Sequence, residues 1–330
     1  MTHSGTAALE MAAILANIKL GDEVIMPSYT FVSTANAFIL RGGVPVFVDI
    51  RPDTLNIDEK IIEKAITCKT KAIVPVHYAG VGCEMDTILK IASKYRLLVI
   101  EDAAHGLKAT YKGRELGTIG DFGALSFHET KNIISGEGGA LLVNNPKFIK
   151  RAEVVWQKGT DRTRFMRGEV DKYTWRDVGS SFLPGEIMAA FLWAQLKASH
   201  EITKKRLRIW NNYHSQLKNL ADKKIVTCPK IPKNCKHNAH IYYLRSKTIK
   251  DRNTLIKNLK KKNILCLFHY IPLHKTRSKN LFFKKPLQKL KVTNTVANCI
   301  LRLPLYIGLK KANQTKVINS IKTFYKINNV

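Results

Sequence analysis

The chain has no apolar run long enough to cross a membrane as a helix, and no charged start followed by an apolar signal segment. It also lacks a CxxC pair. Its six cysteines (Cys68, Cys83, Cys228, Cys235, Cys266 and Cys299) are scattered, with no spacing suited to a metal. They read as reduced thiols, which leads us to expect a cytoplasmic protein without membrane insertion. Acid is scarce in one half only. Residues 1–150 balance 16 Lys+Arg against 16 Asp+Glu, whereas residues 151–330 hold 39 basic and only 9 acidic residues. The formal net charge of +30 therefore belongs entirely to the second half. No basic-region heptad and no aromatic RNA-binding signature accompanies it, so we expect no nucleic-acid partner. Lysine beside asparagine and isoleucine, as in KNLKKKNILC, reads as solvated surface.

What is present is an alternation of helical and extended patterns. THSGTAALEMAAILANI reads as a glycine-initiated helix, DEVIMP as a strand, YTFVSTANAFILRG as a helix and VPVFVDI as a buried strand. DEKIIEKAI, KAIVPVHY, EMDTILKIASKYR and RLLVIED continue the series, and ALSF and GALLVN add two further strands. This pattern predicts an α/β fold with a mostly parallel sheet covered by helices. A long helical stretch over residues 192–220 leads into shorter α/β elements. We expect a large domain over 1–195, then a connecting helix and smaller C-terminal domain over 196–330.

Within the first half, two residues suggest a chemistry. Asp102 ends the apolar run LLVIED, where a carboxylate is costly unless partnered. Lys131 follows 29 residues later, between ALSF and GEGG. An amine able to form a Schiff base and a carboxylate able to hold a ring nitrogen protonated are the two groups pyridoxal phosphate needs. SGTAALE places Gly5, Thr6 and Ala7 at a helix start, where N–H groups and a hydroxyl can hold a phosphate. Ser126 adds another hydroxyl five residues before Lys131. His105 and Phe31 are candidates to flank the ring, one polar and one stacking. Gly138 and Gly139 keep the backbone small beside the site. Each residue alone has an ordinary structural reading as a cap, core or surface residue.

Together, GDEVIMPSYTFVSTANAFILRGG, PDTLNIDE, AIVPVHYAGVGCEMDTI, EDAAHG, TYKGRELGTIGDFGALSFHETKN, GEGGALL, VDKYTWRDVGSS and CLFHYIPLH closely resemble the DegT/DnrJ/StrS family of sugar-nucleotide aminotransferases. The resemblance runs from Ser4 to about residue 325. It implies a fold-type I enzyme dependent on pyridoxal phosphate, acting as a homodimer. Its implied reaction moves an amino group from L-glutamate to C4 of a dTDP-linked 4-keto-6-deoxy sugar, for surface polysaccharide assembly.

On the family pattern, Lys131 is the Schiff-base lysine, Asp102 the pyridine partner and Ser126 a phosphate ligand. Gly5 and Thr6 fall on the phosphate loop, while Phe31 and His105 lie on opposite sides of the ring. A related deoxygenating chemistry carries histidine in place of the lysine. Here Lys131 is present, although His128 stands three residues before it.

Two departures give further expectations. Many relatives carry an asparagine, donated across the dimer, where this chain has Leu183, with Ser180 and Ser181 nearby. Family members also have several dozen residues before the SGTAAL segment, so the chain reads as short at its N-terminus. The competing expectation is therefore a catalytically impaired homologue kept as an interaction subunit or a gene remnant.

Overall fold

The computed structural model describes residues 1–277 and 289–326. A six-stranded sheet forms its centre. Its strands are β1 (Glu23–Pro27), β2 (Val44–Val48), β3 (Thr70–Ile73), β4 (Leu98–Asp102), β7 (Phe122–Ser126) and β8 (Gly139–Val143). A small excursion, β5 (Thr110–Tyr111) and β6 (Arg114–Glu115), separates β4 from β7. The spatial order is β2-β1-β3-β4-β7-β8. Every pairing is parallel except β7 with β8, which run antiparallel with Ser126 opposite Gly139. The expected mostly parallel sheet is the one observed, in the architecture of a fold-type I pyridoxal-phosphate aminotransferase.

Side chains alternate across this sheet as the pleat requires. Val24 and Met26 of β1 and Phe47 of β2 join one core, with α1 (Gly5–Leu15) and α2 (Val32–Ile39). Ile25, Val46 and Val48 point the other way, toward Met85, Ile88 and Ile91 of the helix Met85–Tyr95. Helix α1 is apolar nearly all round and is buried accordingly, between α2, β7 and Ala152 and Val155 of the helix Ile149–Trp156.

The second half builds its own core. Trp210, Tyr213 and Leu217 of the helix Ser199–Asp222 pack with Leu255, Leu259, Val317, Ile318 and Ile321. An antiparallel sheet completes it, from β9 (Val226–Thr227), β11 (Tyr242–Ser246) and β12 (Ile300–Leu303) in the order β12-β11-β9. The short strand β10 (Cys235–Lys236) instead reaches back to pair with β5. Tyr29, Ile50 and Tyr78 meet Ile241, Tyr243 and Ile300 at the seam between the two halves.

The single long helix expected over 192–220 is two. Glu186–Lys197 ends at Ala198, and Ser199–Asp222 begins immediately after it. Pro184 lies just outside the first of these, with Gly185 as its N-cap, so the proline meets no preceding turn of helix.

The first residues are firmly held. Thr2 and Gly139 exchange backbone hydrogen bonds of 2.8 and 2.9 Å, His3 donates to the Phe182 carbonyl, and the Trp156 indole donates to the Met1 carbonyl. A Cβ on Gly139 would run into the Ser4 carbonyl, so glycine there is a requirement of this close approach.

Candidate active site

The carboxyl ends of the parallel strands and the N-termini of α1 and α2 enclose a cleft of about 560 Å³. This is where doubly wound sheets place ligands. Of the sequence-derived candidates, Gly5, Thr6, Phe31, Asp102, His105, Ser126 and Lys131 all line it. Ala7 does not. Its side chain is buried in the core, and its amide is already used by the Ser4 hydroxyl at 3.0 Å. Of the three α1 candidates, only Gly5 and Thr6 face the cleft.

Helix α1 starts where it does because Ser4 caps it twice, accepting from Ala7 through its side chain and from Ala8 through its carbonyl. Gly5 is pressed against the end of β7, where an added Cβ would lie 2.8 Å from the Ser126 Cβ. The Thr6 and Ser33 hydroxyls bond at 2.7 Å and tie the starts of α1 and α2 together. Two helix N-termini and three hydroxyls on one wall make a strong anion cradle.

Asp102 is buried at the end of β4, with its carboxylate held from two sides. Thr34 donates to Oδ2 at 2.7 Å, and the Ala104 amide donates to Oδ1 at 3.1 Å. Thr30 in turn bonds Thr34 at 2.8 Å. Its neighbour Glu101 points to the opposite side of the pleat. There it accepts from His77 at 2.8 Å and from the amides of Gly117, Ile119 and Gly120. The alternation thus separates a structural carboxylate from one lining the cleft.

Lys131 sits in the turn after β7, its amide bonded to the His128 carbonyl at 2.9 Å. Burial pushes its amine down to about 8, opposed by the negative Asp102 and reinforced by the positive Arg302. Such an amine is partly unprotonated near neutrality and so available as a nucleophile or base. His128 does not share this role. Its Nδ1 meets the Thr130 hydroxyl at 2.9 Å and its Nε2 lies 3.3 Å from Glu137.

His105 is held well below its ordinary value, first by burial and then by the positive field of His240 and Lys131. Its Nδ1 accepts from the Ala79 amide at 3.3 Å, which leaves the proton on Nε2, 3.2 Å from the Tyr270 hydroxyl. The ring stacks on His240 with centroids 4.0 Å apart. Phe31 is the more exposed flank, 56% accessible at the N-cap of α2, with Tyr270 tilted against it at 6.5 Å.

Sequence reasoning missed Ser33 and Thr34 at the start of α2, as well as His240, His269, Tyr270 and Arg302. The last four come from the second half, on β12 or on the segments flanking β11 and β12. CLFHYIPLH was the one available signal, because it carries His269 and Tyr270.

These residues suit pyridoxal phosphate. Gly5 and Thr6 present the start of α1 to the cleft, Asp102 offers a buried carboxylate to a cationic ring nitrogen, and Lys131 offers the amine. Comparisons with known proteins agree. The family described as DegT/DnrJ/EryC1/StrS aminotransferase matches residues 1–322. Spore coat polysaccharide biosynthesis protein SpsC of Bacillus subtilis is 38% identical over 282 residues, 82% of this chain and 71% of its own. GDP-perosamine synthase of Caulobacter vibrioides is 33% identical over 321 residues, 97% of this chain and 83% of its own. Among solved structures, the putative sugar aminotransferase Spr1654 of Streptococcus pneumoniae, in its PMP form, superposes with a TM-score of 0.89. It is 27% identical and covers 98% of this chain and 87% of that one, and the same protein is known in a PLP form. With a cleft of matching chemistry and similarity along nearly its whole length, this chain belongs to the DegT/DnrJ/EryC1/StrS aminotransferase family, as an enzyme of sugar-nucleotide amino transfer dependent on pyridoxal phosphate.

Proposed function

We propose that the enzyme moves an amino group from L-glutamate to C4 of dTDP-4-keto-6-deoxyglucose, giving dTDP-4-amino-4,6-dideoxygalactose for surface polysaccharide assembly. The observation that carries this reading is the pairing, in one cleft, of a buried Asp102 with a Lys131 amine lowered to about 8. Relatives named for polysaccharide biosynthesis and for a GDP-linked amino sugar support the substrate class. The choice of dTDP, C4 and glutamate rests on the sequence motifs quoted above.

Bound pyridoxal phosphate supplies a carbonyl carbon that amines attack and a ring that withdraws electrons from the bond to be broken. The protein does the rest. Gly5, Thr6 and Ser126 hold the phosphate. Asp102, fixed by Thr34 and the Ala104 amide, keeps a proton on the ring nitrogen through charge pairing. Neutral His105 and Phe31 hold the ring between them. The Lys131 amine anchors the carbonyl carbon at rest. As a free amine, Lys131 Nζ would carry a proton from the donor's α-carbon to the cofactor's former carbonyl carbon, a transfer suited to an amine with this lowered proton affinity.

The reading includes a homodimer. Ile187, Trp193 and Trp175 are 87%, 63% and 80% exposed, more large apolar surface than an isolated subunit commonly displays. It also includes division of the chain near residue 195 into cofactor-binding and C-terminal domains, and residence in the cytoplasm. The direct test incubates the protein with pyridoxal phosphate, [¹⁵N]glutamate and dTDP-4-keto-6-deoxyglucose. Mass spectrometry should find ¹⁵N in the sugar nucleotide. Labelling only with a differently linked keto sugar would replace the substrate assignment.

A further inference from the structure

Asn132 follows Lys131 in sequence, yet its side chain does not line the cleft. The connection between β7 and β8 that carries both residues is closed at its base by its own backbone. There Glu129 donates to the Gly136 carbonyl and Ser135 to the Phe127 carbonyl, each at 2.8 Å. Its tip is tied instead to the second half of the chain. The Asn132 side chain donates through Nδ2 to the Asn238 carbonyl at 2.9 Å, and its Oδ1 meets His240 Nδ1 at 3.0 Å. Because a carbonyl only accepts, the Asn238 bond fixes which end of the amide is nitrogen. Oδ1 must then receive its hydrogen from the imidazole, so His240 carries its proton on Nδ1. Burial, and after it the positive Lys131, hold this imidazole well below its ordinary value and so keep it neutral.

The segment that receives Asn132 is itself held firmly. Asn238 is buried, and its side chain donates to the carbonyls of His105 and Leu107 at 2.7 and 2.8 Å. The buried Arg206 donates to the carbonyls of Ala239 and His240 at 3.2 and 2.6 Å. His240 in turn stacks on His105, with centroids 4.0 Å apart. One amide therefore connects the turn that presents the Lys131 amine with the imidazole pair on the opposite side of the seam. His105 flanks the cofactor ring in the reading above, and Lys131 acts on atoms attached to that ring. The separation of turn and stack thus bears directly on the proton transfer.

We propose that Asn132 is a positioning residue, whose amide holds the Lys131 turn at a fixed separation from the His105–His240 stack. This rests on the amino-transfer reading above. Asn132→Leu keeps the volume of the side chain and removes both of its bonds. Misplacing a reacting group by about 1 Å costs on the order of 100-fold in rate. In the cofactor-loaded variant, conversion by L-glutamate should therefore lose at least ~10-fold in kcat, with KM within ~3-fold and cofactor content unchanged. Weaker cofactor binding or a lower melting temperature with kcat intact would make Asn132 a structural tie only and overturn the proposal. A rise in KM alone would do the same. Should Asn132→Leu fail to fold by circular dichroism, Asn132→Asp takes its place, with the same shape but an oxygen set against the Asn238 carbonyl.

His240→Phe keeps a ring on His105 and removes the hydrogen bond. Combined with the Asn132 variant, it should lose no more than the larger of the two single losses, and losses that multiply refute a shared action. A readout free of turnover is nitrogen-15 NMR of histidine-labelled, cofactor-free protein, with His240 identified by the signal absent from His240→Phe. The wild type should show a neutral ring protonated on Nδ1, and Asn132→Leu should move that proton at least partly to Nε2. A wild-type proton on Nε2 overturns the proposal. Should the wild type be converted by no amino donor, the amino-transfer reading fails, while the place of this proton still decides whether Asn132 grips His240.

Discussion

Thr34 donates its hydroxyl hydrogen to Asp102 Oδ2 at 2.7 Å, across 68 residues of sequence. The bond joins the first turn of α2 to the end of β4 and fixes the orientation of the carboxylate in the cleft. A hydrogen bond to a charged group contributes about 1.5–3 kcal/mol. Thr34→Val should therefore weaken pyridoxal phosphate binding by about 10- to 100-fold without unfolding the protein, as read by cofactor titration. Asp102→Asn should retain some cofactor yet lose turnover by at least ~100-fold, because the charge is missing where the reaction develops its opposite. Unchanged turnover in Asp102→Asn would remove that residue from the mechanism.

Lys131→Ala should abolish amino transfer and the visible absorption of the bound cofactor, with the fold retained by circular dichroism. A borohydride-reducible bond between cofactor and protein surviving in this variant would refute the assignment.

The lowered Lys131 amine also predicts a pH dependence in cofactor-free protein. Its folded value of about 8 lies below that of the unfolded chain, so between pH ~8 and ~10.4 the unfolded state binds more protons and stability rises with pH. Below pH 8 both states are protonated and the full cost of the buried charge is present. Lys131→Met removes that cost. The variant should be the more stable near neutrality, with its advantage shrinking across this window. Denaturant midpoints of the two proteins, compared at each pH, cancel the contribution of the cysteine thiols. A constant difference would mean that the amine is not desolvated in solution.

Gly139→Ala should destabilise the start of the chain, since the new methyl meets the Ser4 carbonyl. Overpacking of this kind costs about 1–3 kcal/mol. Ser4→Ala, which removes only the cap, should cost about 0.5–2 kcal/mol. Both should also weaken the cofactor phosphate, and titration alongside thermal melting will show whether affinity and stability fall together.

Sedimentation at micromolar concentration should give a dimer for the wild type. Ile187→Glu, placing a charge on the most exposed large apolar side chain of its helix, should shift it toward monomer. A fully active wild-type monomer would contradict the homodimer.

The legible part of this protein was its local part. Alternating apolar runs located β1 to β4, β7 and β8, because a strand covered on both faces shows as a short apolar block. Lys131 and Asp102 stood out because both follow strands of that sheet within 30 residues of each other. Ala7 was misplaced, since a helix start looks alike in sequence whether its third residue faces a ligand or the core. The break at Ala198 left no trace either, as its backbone stays close to helical, with φ −83° and ψ −1°. Arg302 and His240 were unreadable for a different reason. Their distance from Lys131 is set by how one core seats on the other through Tyr29, Tyr78 and Tyr243, and no periodicity within either half encodes that seating.

The cleft draws on Ser4 and Gly5 at one end of the chain and on Arg302 near the other. During synthesis the phosphate cradle and the Lys131 turn emerge first, but the wall formed by β12 cannot close until nearly the whole chain has left the ribosome. A product released before β12 would carry Lys131 and Asp102 yet lack one wall of the cleft. Closure of the cleft is therefore tied to β12, the last strand of either sheet to be made.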